Sequence, residues 1–159
     1  MISATLVFVI SAALFLFYLQ AACERILRRR FEDPLPEPIV NANRLEFPYV
    51  RLALEEFDGD VDYPRFRTQL KCDYLALTYL LRNAANRRRR LSGRERLLAT
   101  YFRALSVLLP VSHMVGGFFE KPILLKMTSV LEYFANVLGE RIKRVRFGKL
   151  TASEYLMSL

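Results

Sequence analysis

Apolar positions in this 159-residue chain fall into one unbroken run at the start, followed by stripes at helical spacing. Residues 1–23 carry no charged side chain, and the first charge is Glu24. About 22 residues at ~1.5 Å rise give roughly 33 Å, which matches a hydrocarbon core of ~30 Å. Leu6, Val7, Phe8, Val9, Ile10, Leu14, Phe15, Leu16 and Phe17 supply the apolar surface, and Tyr18 stands where an interfacial aromatic belongs. A cleaved signal peptide would have a basic n-region and a shorter apolar run. Leu19-Gln20-Ala21-Ala22-Cys23 is near a lipoprotein cleavage pattern, but Gln20 occupies an aliphatic position, so the run is expected to stay as an anchor.

A second uncharged stretch, residues 104–119, is only 16 residues long and contains Pro110, His113, Gly116 and Gly117. That length suits a buried core helix or an interfacial segment better than a span. A second crossing would also export the basic residues 141–149, against the charge rule. One span is expected.

Beyond the anchor, Glu32-Asp33-Pro34-Leu35-Pro36-Glu37-Pro38 reads as an extended linker that holds the following domain roughly 20 Å from the anchor at ~3.1 Å per residue. Pro48 sits near the start of a short helix over 48–57. Asp58-Gly59-Asp60-Val61-Asp62 breaks the chain as an acidic turn. Three longer helices follow. The first spans about 64–86, with Phe66, Leu70, Tyr74, Leu77, Leu81 and Ala84 on one face. The second opens on the capping box Ser92-Gly93-Arg94-Glu95, carries Leu97, Tyr101, Leu105 and Leu108 as its apolar face, and kinks or ends at Pro110. The third spans about 122–147, with Ile123, Met127, Val130, Phe134, Leu138, Ile142 and Val145 as its stripe and Gly148 as its stop. Thr151-Ala152-Ser153-Glu154 caps a last short helix. The expected fold is all-α: residues 1–30 form a transmembrane anchor with a basic end, 31–47 an acidic Pro-rich linker, and 48–159 a small cytoplasmic helical bundle.

Charge changes this picture in two ways. Arg25, Arg28, Arg29 and Arg30 follow the apolar run directly, so the positive-inside rule puts the N-terminus outside and the bundle in the cytoplasm. These arginines can also meet anionic headgroups. Along the rest of the chain, charge is segregated: residues 32–62 carry a net −7, residues 65–103 a net +9, and residues 120–149 a net +4. The simplest expectation is that an acidic arm lies against a basic bundle or that each faces a different partner. Nineteen of the 24 basic residues are Arg, a bias that a GC-rich genome explains, and a bacterial inner membrane is the expected location.

Candidate chemistry is sparse. Asp58, Asp60 and Asp62 match the first ligand positions of a calcium loop, but Tyr63 stands where Gly is needed and Gln69 where the bidentate Glu belongs. His113 is the single histidine and reads as structural, and Cys23 and Cys72 read as reduced thiols. No cofactor or metal is expected. The densest basic patch is Arg87, Arg88, Arg89 and Arg90 with Arg94 and Arg96, a candidate partner-binding surface. It lacks the interleaved aromatics or recognition helix of a nucleic-acid reader, so nucleic acid is disfavoured against protein or anionic lipid. The 12 Phe and 8 Tyr suit an aromatic core as well as an interface.

The expectation for function is a non-catalytic, single-pass accessory or scaffold subunit of a larger membrane complex. The alternatives are a tethered adaptor that recruits an acidic or nucleic-acid partner through the arginine patch, and an enzyme or cofactor-binding bundle using His113 or Cys72.

Overall fold

The computed structural model describes residues 2–31, 37–56, 62–83, 91–114 and 119–157, with side-chain surroundings for 5–31, 37–56, 62–83, 91–114 and 119–143. Among the described residues the chain is all-helical, with no strand. The helices are α1 (Ile2–Leu27), α2 (Glu37–Ala42), α3 (Phe47–Glu56), α4 (Tyr63–Asn83), α5 (Gly93–Met114) and α6 (Glu120–Met157). The central helix is α6, and each of the other five packs against it.

The reason is visible in which residues α6 buries. The expected stripe of Ile123, Met127, Val130, Phe134 and Leu138 is buried, but so are Leu124, Leu131, Tyr133, Ala135 and Val137. A helix that is apolar all round belongs inside a bundle rather than at its surface. The stripe ends sooner than expected, since Ile142 is exposed. Gly148 does not stop the helix, and the separate short helix expected at 151 is its continuation to Met157. A helical glycine costs only about 1 kcal/mol relative to Ala, and strong helix formers flank this one.

Local capping follows the sequence closely. In α5 the Ser92 amide donates to Glu95 Oε2 at 3.0 Å and the Glu95 amide donates to Ser92 Oγ at 3.4 Å, completing the capping box. Asp62 caps α4 by accepting the Arg65 amide at 3.1 Å. Between α2 and α3, Arg44 takes φ 50°, with Leu45 N donating to Val40 O at 3.0 Å and Arg44 N to Asn41 O at 3.3 Å. This is a Schellman ending with arginine in the position usually held by glycine.

Four further sequence expectations change. Pro38 lies in the first turn of α2 instead of an extended spacer. The linker does not hold the bundle roughly 20 Å away; Leu19 and Cys23 of α1 belong to the bundle core, with Ile26 and Leu27 packed against it. The apolar face of α5 is rotated: Leu98, Phe102 and Leu109 are buried with Tyr101 and Leu105, whereas Leu97 is only half-buried and Leu108 is exposed. Finally, Pro110 neither ends α5 nor leaves a gap in its bonding. A proline cannot donate to the carbonyl four residues back, here that of Ser106. Arg67 of α4 supplies the missing donor, its Nη2 lying 3.3 Å from Ser106 O.

Among the described residues, the arm formed by α2 and α3 lies on the bundle mainly through apolar contacts. Phe47, Val50 and Leu54 are its buried contacts. Its ion pair across to α6 joins Arg51 to Glu132, with the base on the arm and the acid on the bundle.

One long-range cap fixes where the arm begins. Asp73 of α4 accepts the amides of Glu46 at 2.9 Å and Phe47 at 2.7 Å, so a side chain 26 residues away starts α3. Asp73→Ala should cost about 1–3 kcal/mol by leaving these amides unpaired. Burial pushes the Asp73 carboxyl above its usual value of 3.8, against the opposing pull of the two amides. Its protonated form is therefore favoured on folding. That contribution is fully present below the ordinary carboxylate value and is lost as pH rises through the raised one. Asp73→Asn keeps an acceptor but does not titrate. Melting curves from about pH 4 to about pH 7 should show wild type losing stability relative to Asp73→Asn as pH rises. A constant difference across that range would contradict the assignment.

Candidate functional site

The junction between α1 and the bundle is where unusual surface chemistry gathers. From Thr5 to Tyr18 every α1 side chain is exposed, with Tyr18 at 70%, whereas Leu19 is 8% and Cys23 0% exposed. One helix thus presents bare apolar surface over its first turns and core contacts over its last. By length and composition α1 can cross a membrane. The apolar part of α5 passes the same length-and-composition test, but 44% of it is buried in the bundle, against 11% for α1.

Two cavities flank this junction. A cleft of about 650 Å³ lies where the first charged residues of α1 meet α3 and α6. Arg28, Arg29 and Arg30 line it from the end of α1, Arg51 from α3 and Lys126 from α6, opposed by Glu24 and Glu132. The formal surplus is three positive charges. Arg29 pairs with Glu140 at 3.2 Å and lies 5.1 Å from the Phe31 ring centroid, Arg51 pairs with Glu132, and Lys126 lies 3.6 Å from Glu24. The guanidinium groups of Arg28 and Arg30 form no ion pair or hydrogen bond with a described residue.

The second cavity is an apolar groove of about 240 Å³ between α1, α5 and the start of α6. Leu16 and Leu19 of α1 line it with Leu108 of α5 and Phe119 and Ile123 at the start of α6. Tyr101 and Lys126 line both cavities, so the basic cleft and the apolar groove meet at these two side chains. Beyond the groove, the end of α5 keeps Val107, Val111 and Met114 exposed.

The arginines expected at the membrane boundary divide. Arg28, Arg29 and Arg30 line the cleft, while Arg25 is exposed outside it. Arg51 and Lys126 complete the cleft and carry no local signal in the sequence, because Arg51 is the one basic residue of α3 and Lys126 has no basic residue within four positions of it. In the other basic patch, Arg94 and Arg96 are exposed on the first turn of α5, and Arg87, Arg88, Arg89 and Arg90 lie outside the described residues. So do Asp58 and Asp60 of the acidic turn and the pair Gly116-Gly117, while Asp62 is occupied as a helix cap.

His113 meets the buried carboxylate of Glu120, its Nδ1 2.6 Å from Oε1, and so ties the end of α5 to the start of α6. Both cysteines are free, Cys23 in the core and Cys72 exposed on α4. Among the described residues no three His, Cys, Asp or Glu side chains converge where they could hold a metal ion. No protein-family model, curated protein or solved structure matches this chain.

Proposed function

We propose that this chain is a non-catalytic, single-pass membrane-anchored accessory or scaffold subunit of a larger membrane protein complex, with its helical bundle on the cytoplasmic side. The observation that carries the reading is the continuity of α1, whose exposed apolar turns lead without a break into Leu19 and Cys23 of the core. An anchor built this way does not merely tether the bundle; it orients it against the membrane. The four arginines after Cys23 support the inward orientation. Exposed Tyr49 and Leu52 on α3, and Leu75 and Tyr79 on α4, offer the kind of aromatic and aliphatic surface that protein partners cover.

The test combines topology with composition. A reporter fused after Leu159 should read as cytoplasmic, and replacing Arg25, Arg28, Arg29 and Arg30 with neutral residues while adding lysines before Ile2 should partly invert the chain. Purification in mild detergent should bring down a partner in fixed stoichiometry. An external reporter on the unaltered protein would refute the orientation, and migration as a lone monomer would refute the subunit reading.

A further inference from the structure

We propose that the basic cleft and the apolar groove form one binding site for an anionic glycerophospholipid, its phosphate held by Arg28 and Arg30 and an acyl chain lying along the groove. This rests on the membrane-anchored reading of α1. The helix itself supplies the depth scale. Glu24, its first charged residue, lines the cleft, and Leu16 and Leu19, in its last uncharged turns, line the groove. The site therefore passes from charged to apolar over the same turns at which α1 leaves the bilayer.

Charge selects the headgroup. Three of the five basic side chains in the cleft form ion pairs with carboxylates, whereas Arg28 acts on Glu24 only by longer-range attraction and Arg30 forms no ion pair with a described residue. An arginine fork suits phosphate oxygens, and basic pockets at the membrane boundary favour anionic over zwitterionic headgroups. A choline headgroup would bring its own cation into a cleft that already has a positive surplus. Tyr101 and Lys126, shared by both cavities, stand where a glycerol backbone would lie.

The test is native mass spectrometry of the full-length protein in mild detergent, with phosphatidylglycerol or phosphatidylcholine of matched chains added at equal concentration. Wild type should retain phosphatidylglycerol in roughly 25-fold excess, since Arg28 and Arg30 at such a surface each contribute about a fivefold effect. Arg28→Gln with Arg30→Gln should bring the ratio close to one. Arg65→Gln with Arg103→Gln removes the same charge from exposed positions outside the cleft and should leave the preference intact. Glycerol phosphate, which has no acyl chain, should fail to displace the bound lipid. A wild-type ratio near one, equal losses in both double variants, or displacement by glycerol phosphate would each overturn the proposal. Carbonate washing of the source membranes separates the two readings: protein that stays in the pellet but shows no lipid preference keeps its anchor and loses only the lipid site. Protein released by carbonate loses both.

Discussion

Phe134→Ala is expected to destabilise the bundle by about 3–5 kcal/mol, the usual cost of emptying a fully buried aromatic site. Phe134 is 0% exposed on the central helix, and its ring lies 6.3 Å from Tyr74 and 6.4 Å from Tyr133. Tyr74 in turn stacks on Phe102 at 4.3 Å with nearly parallel planes. Removing the ring opens a void where α4 and α6 meet beside that stack, and a close-packed interior only partly collapses into such a space. For a chain of this length the melting temperature should fall by roughly 6–20 °C, measured by calorimetry on the detergent-solubilised protein. Tyr79→Ala, on the exposed side of α4, should shift stability by no more than about 0.5 kcal/mol. Equal small effects from the two changes would mean that Phe134 is not in a packed core.

Arg141→Met should be of similar size, for a different reason. One end of the Arg141 guanidinium donates to the Leu81 carbonyl at 3.1 Å, close to the end of α4, and the other pairs with Glu95 in the first turn of α5. This arginine therefore joins three helices through one side chain. Glu95 is buried and also completes the Ser92 capping box. Losing Arg141 leaves that carboxylate buried without its cation, which costs about 3–5 kcal/mol. The double variant Arg141→Met, Glu95→Gln should be more stable than Arg141→Met alone, because glutamine keeps the reach of the capping box without a buried charge. Denaturation of the four members of this cycle measures the coupling. If the double variant were the weaker one, the loss would have to come from packing of the arginine stem instead of the stranded charge.

The parts of this architecture that were legible in the sequence are those decided by short-range physics. An uncharged run of 23 residues, a capping box four residues long and a stripe repeating every three or four positions each signal their structure within a single continuous segment. The all-helical class, the N-terminal helix able to span a membrane and half of the α6 core followed from such signals. The phase of α5 did not, since Leu97 and Leu98 are equally apolar and only the position of α6 decides which turns inward. Nor could the passage of α5 through Pro110 be read, because the donor that satisfies Ser106 comes from Arg67, 39 residues earlier.

The cleft makes the same point. Sequence alone determined that arginines follow the N-terminal apolar helix; tertiary structure decided which of them share a cavity. Arg28, Arg51 and Lys126 are dispersed over about a hundred residues and converge only because α1, instead of standing off on a proline spacer, packs its last turns onto α5 and α6. Leu19, Cys23, Ile26 and Leu27 are as suitable for lipid as for a protein core. What sends them into the core is the complementary apolar surface on α5 and α6, which exists only once those helices have assembled.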